Sequence, residues 1–197
     1  MKYFTWGMNK PKVSEQRTAL QQDHWVFWDD YDSRLVARGP VLDADDRTTA
    51  IGSIHIAELN TWAEARHMVY EEPYAKAGLF QEIVVTPFFL ELGRTQFQTE
   101  SPPGSSGFFI YCRAVDGGAV AQGDHSAGHE AYCRECDSIF ACRGSLLTES
   151  GSWDGSIYLI EVANGDAAAE FIDQEPYKEA GLYDSPRIFN WRRGGRR

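Results

Sequence analysis

The chain has 197 residues, 43% hydrophobic and 24% charged, and a net charge of −10. That acidity argues against a nucleic-acid surface, and no apolar run approaches the roughly 18 residues of a membrane span. The N-terminal MKYFTWGMNK lacks the apolar stretch and cleavage site of a signal peptide, so the reading is a cytoplasmic protein with reduced cysteines.

KYFTWGM at 2–8 reads as a short, aromatic-rich strand. A helical stripe follows at His24, Trp28, Tyr31 and Leu35, spaced i, i+4, i+7, i+11. Asp23 would cap this helix, placing His24 in its first turn, and Gly39 would close it as a left-handed stop. PVL is then a brief strand, DADDRT a turn and GSIHIAEL a β-rich strand. Asn60 or Thr61 can cap a second helix, TWAEARHMVYEE, which Pro73 breaks before Gly78 turns the chain. LFQEIVVTPFF is the last strand, and the order β-α-β-β-α-β is the ferredoxin-like pattern.

The pattern is then written again. HWVFWDDYDSRLVARGPVL from His24 aligns without a gap to HEAYCRECDSIFACRGSLL from His129, an offset of 105. GSIHIAEL from Gly52 meets GSIYLIEV from Gly155, and EPYAKAGLF from Glu72 meets EPYKEAGLY from Glu175, both at an offset of 103. One two-residue indel explains the difference, so the chain reads as two tandem copies, residues 1–92 and 107–197. Residues 93–106 have the polar, Pro/Gly/Ser-rich composition of a linker. The helix of copy 2 is expected from about His129. The tail RRGGRR (Arg192, Arg193, Arg196, Arg197) reads as a solvated end.

A histidine opening the first helix, RGP after it, a GS strand, then acidic-Pro-Tyr and AGL resemble the YciI-like (YCII-related) family, over nearly the whole chain and twice over. The resemblance implies two ferredoxin-like units packed sheet to sheet, an intramolecular dimeric α/β barrel of the α+β class. Such a chain would be a monomer in the form of a pseudo-dimer, or a further homodimer of it. It also implies a pairing of His24 with Glu72 and of His129 with Glu175, with Ser53 and Ser156 as the serines of the GS strands. A few members of the family are dehalogenating or lyase-like enzymes acting on hydroxylated aromatic rings. The chain departs from the family in having Glu for the usual Asp, and in copy 2 RGS for RGP (Ser145 against Pro40).

The residues carry their own reading. A neutral histidine near a helix start can accept a proton, and a nearby carboxylate would orient the ring. The alternative is a satisfied histidine on the core stripe, since His24 shares a face with Trp28 and Tyr31. Glu72 and Glu175 stand at helix C-termini, where the dipole disfavours anions, so a specific partner is expected. Tyr74 and Tyr177 would pack beside the histidines. Tyr74, Tyr177, Trp28 and His55 are the candidate substrate-binding residues, and His55, which copy 2 replaces with Tyr158, would give copy 1 an acid besides a base. His125, His129, Cys133 and Cys136 could line one helical face with zinc donors, but two of them fall on core positions, and no metal is expected. The reading is a cofactor-independent small-molecule enzyme of lyase, isomerase or dehalogenase type, using a His–Glu pair on an aromatic or hydroxylated substrate, with copy 1 favoured. Its rivals are a non-catalytic binding barrel and a structural pseudo-dimer.

Overall fold

The computed structural model describes residues 1–195. The first half runs β1 (Lys2–Asn9), α1 (Ser14–Asp29), β2 (Leu35–Leu42), β3 (Ala50–Glu58), α2 (Trp62–Glu71), α3 (Pro73–Lys76) and β4 (Phe80–Leu90). The second repeats it as β5 (Ser106–Arg113), α4 (Gly118–Glu135), β6 (Phe140–Leu147), β7 (Trp153–Val162), α5 (Gly165–Asp173), α6 (Pro176–Glu179) and β8 (Arg187–Trp191).

All eight strands close into one antiparallel barrel in the order β1-β3-β2-β8-β5-β7-β6-β4. The two seams are reciprocal. The last strand of each half pairs with the second strand of the other, Phe88 opposite Leu146 and Trp191 opposite Val41. This is an α+β intramolecular dimeric barrel: each half's sheet finds its cover in the other half. The interior is filled from both sides by Phe4, Trp6, Phe88, Phe109, Tyr111 and Trp191, and Trp6 meets Phe109 edge to face at 5.1 Å. Each such side chain contributes about 1.5–3 kcal/mol by leaving water. The helices lie outside, packed on the other sheet face through further apolar clusters.

Several local expectations are corrected. Helix α1 begins at Ser14, ten residues before His24, because the good helix formers of SEQRTALQQD extend it backward. His24 therefore lies in its second half, away from the positive end of the dipole. Helix α4 likewise begins at Gly118, after Gly117 in the left-handed region (φ 80°). Gly39 is not a helix stop but a β2 residue at the β2–β8 seam, where a Cβ would stand 2.1 Å from the Arg192 carbonyl oxygen. Gly78 and Gly181 do turn the chain, at φ 67° and 68°.

The segment joining the halves packs against both. Gln96 is buried, accepting from the Arg38 backbone N–H at 2.9 Å and donating to the Gly194 carbonyl at 3.2 Å. The tail is not simply solvated: Arg193 donates from Nε and Nη2 to the Glu161 carboxylate at 2.8 and 2.7 Å, whereas Arg192 is exposed. Arg196 and Arg197 lie outside the described residues.

Candidate functional site

In the first half, Pro73 ends α2 and opens the short helix α3, so Glu72 is the N-cap of the second helix as well as the end of the first. Its Oε1 accepts the Ala75 backbone N–H at 2.9 Å, which answers the electrostatic problem posed by a helix C-terminus. Its Oε2 lies 2.8 Å from Nδ1 of His24. An ionised carboxylate only accepts, so Nδ1 carries the proton and the lone pair sits on Nε2. Tyr74 stacks on the imidazole at 4.1 Å, and the Arg17 guanidinium lies over the Tyr74 ring, 4.1 Å from its centre. Arg17 also donates to Ser53 Oγ at 2.9 Å. Trp28 stacks on His55 at 3.5 Å. Burial lowers the pKa of His24 from 6.5 against the opposing pull of Glu72, and pushes His55 well down. Both rings are neutral at pH 7.

These residues open on a cavity of about 400 Å³ between α1, β2 and β3, closed on one side by the tail from Arg192 to Gly195. Among the described residues, four arginines line it (Arg17, Arg38, Arg192, Arg193) and no aspartate or glutamate does. In a chain of net charge −10 this is a local inversion of sign.

The second half repeats the pair. His129 Nδ1 lies 2.6 Å from Glu175, which also caps α6 by accepting the Lys178 N–H at 3.1 Å, and Tyr177 stacks on the ring at 4.2 Å. Here the other ring nitrogen is taken too: Nε2 lies 3.2 Å from Glu91, at the end of β4. Glu91 further accepts from Arg143 at 2.5 Å and from Ser145 Oγ at 2.6 Å. With a carboxylate at each nitrogen, the ring donates from both and is an imidazolium. Burial opposes that charge, but Cys133, Glu175 and Glu91 prevail and raise the pKa to about 12. Burial likewise pushes Glu91 up, while His129, Ser145 and Arg143 hold it below the ordinary carboxylate range. The cavity on this side, also about 400 Å³, is lined by Glu91, Glu130 and Asp137 as well as Arg134 and Arg143.

The sequence pattern of the YCII-related domain matches residues 1–89 and again residues 107–192. The chain belongs to the YCII-related domain family. An uncharacterised protein from Haemophilus influenzae is 27% identical over 94 residues, 45% of this chain and 96% of its own. The 5-chloro-2-hydroxyhydroquinone dehydrochlorinase of Burkholderia phenoliruptrix, solved with 2,5-dihydroxybenzoquinone, is 25% identical over 45% of this chain and 94% of its own, with a TM-score of 0.43. A mutant chlorite dismutase from Candidatus Nitrospira defluvii matches 97% of the chain and 91% of its own at a TM-score of 0.61 and 8% identity, a likeness of fold.

The structure thus brings His24, Glu72, Tyr74, Trp28, His55 and Ser53 of this YCII-related chain around one cavity, with Glu72 behind the histidine. In the second half His129 and Tyr177 line the cavity, but Ser156 is buried away from its lining. His125 is exposed on α4, while His129 and Cys133 are buried. Among the described residues no group of three or more His, Cys, Asp or Glu is placed to hold a metal. Sequence reasoning passed over Arg17, Arg38 and Glu91. The signal for Arg38 was its match to Arg143 inside the RG motif. For Glu91 it was the offset of 103, which sets this acid against Gly194.

Proposed function

We propose that the first half is the working site of a small-molecule enzyme that moves a proton with His24, in a reaction of the lyase, isomerase or dehalogenase type. One observation carries this reading: a buried, neutral imidazole whose Nδ1–H is held by Glu72 at 2.8 Å while its Nε2 is left to a cavity of about 400 Å³. Nε2 takes a proton from an activated C–H or O–H of the substrate. The electron pair left behind forms a new double bond and expels a leaving group with its own pair, or moves along the substrate to be reprotonated by the same Nε2–H. Glu72 steadies the imidazolium while it exists. The cavity is of a size for an aromatic or hydroxylated ring; Tyr74 and Trp28 fix the two imidazoles beside it by stacking on His24 at 4.1 Å and His55 at 3.5 Å, and Ser53, held by Arg17, lines the same space. The second-half residues His129, Glu175 and Ser156 are assigned no proton transfer, because both nitrogens of His129 already hold protons.

The experiment is turnover of halogenated and unhalogenated hydroxylated aromatic rings, followed by halide release and absorbance, with wild type and His24→Ala. Turnover lost in the variant supports the reading. Binding without turnover in the wild type replaces it with a non-catalytic barrel.

A further inference from the structure

A second imidazole faces the first-half cavity, and the proton transfer by His24 leaves it unused. His55 on β3 is 6% exposed and lines the space beside His24, the two ring centres lying 5.9 Å apart. Trp28 stacks flat on its ring at 3.5 Å and fixes the ring plane. The His55 backbone carbonyl accepts from Thr5 Oγ1 at 3.2 Å, but among the described residues neither ring nitrogen has a hydrogen-bond partner. Buried polar groups are normally paired, so a ring without a partner at a cavity wall is set for a bound group. Ser53 stands two residues earlier on the same strand, so both side chains leave β3 on one face. It too is buried and lines the cavity. Its Oγ accepts from Arg17 at 2.9 Å, and a guanidinium cannot accept in return, so the hydroxyl proton is left to donate elsewhere. Arg17 is itself buried and held by Asn9 Oδ1 at 2.8 Å.

The second half keeps this wall and withdraws its donors. At the offset of 103 Ser53 becomes Ser156 and His55 becomes Tyr158, and neither lines the second cavity. Tyr158 is fully buried, its hydroxyl 2.8 Å from that of Tyr183. At the offset of 105 Arg17 becomes Gln122, which donates to the Tyr177 hydroxyl at 2.6 Å. The first half thus turns an imidazole and a hydroxyl toward open space beside a base. Burial first, and then His24, Arg38 and Arg17, hold His55 in its neutral form. A neutral imidazole carries one N–H and one lone pair, and with neither nitrogen committed the tautomer follows the bound group. Fixed neutral donors in a water-poor site stabilise charge as it develops on a substrate oxygen.

We infer that His55 and Ser53 form a two-donor pocket for a substrate oxygen that gains negative charge as His24 takes the proton, with Arg17 positioning the serine. This deepens the proposed function and rests on the first half being the working site. His55 is then a catalytic residue that touches the substrate, and Arg17 a positioning residue that acts through Ser53. The step needs no further reagent. A C–H or O–H bond of the substrate breaks, its proton passes to His24 Nε2, and its electron pair becomes charge on the oxygen held by the imidazole N–H and the serine O–H. That charge returns to the carbon framework when the leaving group departs with its own pair, or when carbon is reprotonated. The substrates so selected bear a hydroxyl or carbonyl oxygen conjugated to the reacting carbon.

The pocket can be read without turnover. The probe is 4-nitrophenol, whose phenolate is yellow and whose phenol is not, so absorbance gives the ionisation midpoint of the bound probe. Wild type should lower that midpoint relative to the free probe. His55→Phe keeps a flat ring against Trp28 but has no donor, and should raise the phenol-to-phenolate ratio of the bound probe about tenfold at fixed pH. Ser53→Ala should act in the same direction, and His55→Gln, which restores an N–H, should recover part of the loss. His24→Ala should keep the lowered midpoint, since both donors remain. Should His55→Phe fail to fold, the wild type decides by NMR: the ring-nitrogen signals of His55 must move as the probe saturates the site. A probe that does not bind, a midpoint unlowered in the wild type or unmoved in His55→Phe, or His55 signals that ignore the probe would each overturn the inference. So would a midpoint that His24→Ala raises as far as His55→Phe does, because the charge would then belong to the base. Phenolate held with no substrate turned over would leave the pocket standing and remove the proton-transfer reading; turnover at full rate in His55→Phe would do the reverse.

Discussion

The Glu91 carboxylate stands 3.2 Å from Nε2 of His129, on the side of the ring opposite the Glu175 oxygen at 2.6 Å. Among the described residues, His24, the counterpart of His129, has a side-chain hydrogen bond at Nδ1 alone, to Glu72. Glu91 thus joins Cys133 and Glu175 in raising the pKa of His129, while burial lowers that of His24.

The first expected outcome is a split titration. At pH 7 His129 is a cation and His24 is neutral, and Glu91→Gln lowers the pKa of His129 while leaving that of His24 where it was. Histidine NMR titration from pH 4 to pH 10 measures both. Two histidines titrating together near 6.5 would refute the split.

Stability should follow the same charge. The folded pKa of His129 is raised above its ordinary 6.5, so its contribution is fully present below pH 6.5 and is lost as pH rises toward about 12. The gap in urea midpoint between wild type and Glu91→Gln should be full near pH 6.5 and shrink progressively as the pH is raised toward about 12. A gap that grows with pH would contradict the assignment.

Activity should follow the other histidine. Because burial lowers the pKa of His24, the acid limb of kcat/KM should fall below pH 6.5. His24→Ala should cost about 10²–10⁴-fold in kcat, the range of a lost general base, while His129→Ala should retain most activity in whatever fraction stays folded. Equal losses in two folded variants would show that both halves work.

The barrel was legible because duplication leaves a physical record: two blocks of the same alternation and the same turn signals at one offset require two of the same sheet, and each sheet needs a cover. The His24–Glu72 pairing was legible only through family resemblance, since 48 positions separate the two and no local period joins them. Helix α1 was misplaced because its first turns, SEQRTALQQD, are polar and solvent-facing, with Arg17 the sole buried side chain before His24. Apolar periodicity has little to report there. Gly39 was misread since a glycine after a helical stripe commonly marks a left-handed stop, while here it marks close approach of two strands. Glu91 escaped because its role depends on the seam between halves, a contact absent from either half alone.

The seam itself yields the last expectation. Gly39 on β2 and Gly144 on β6 are equivalent, and each meets the opposite half's backbone: a Cβ would come 2.1 Å from the Arg192 oxygen at Gly39 and 2.2 Å from the Phe89 oxygen at Gly144. Neither glycine has a positive φ, so the need is for space and not for unusual backbone. Gly39→Ala should push β8 and the tail outward, destabilise the fold by about 1–3 kcal/mol as overpacking does, and loosen the wall that closes the first-half cavity. Gly144→Ala should destabilise to a similar degree but displace Glu91 from His129. Chemical denaturation measures the first effect, and the two variants separate in the histidine titration: only Gly144→Ala should lower the pKa of His129. If either alanine is accommodated without loss of stability, the seams are looser than the backbone contacts imply.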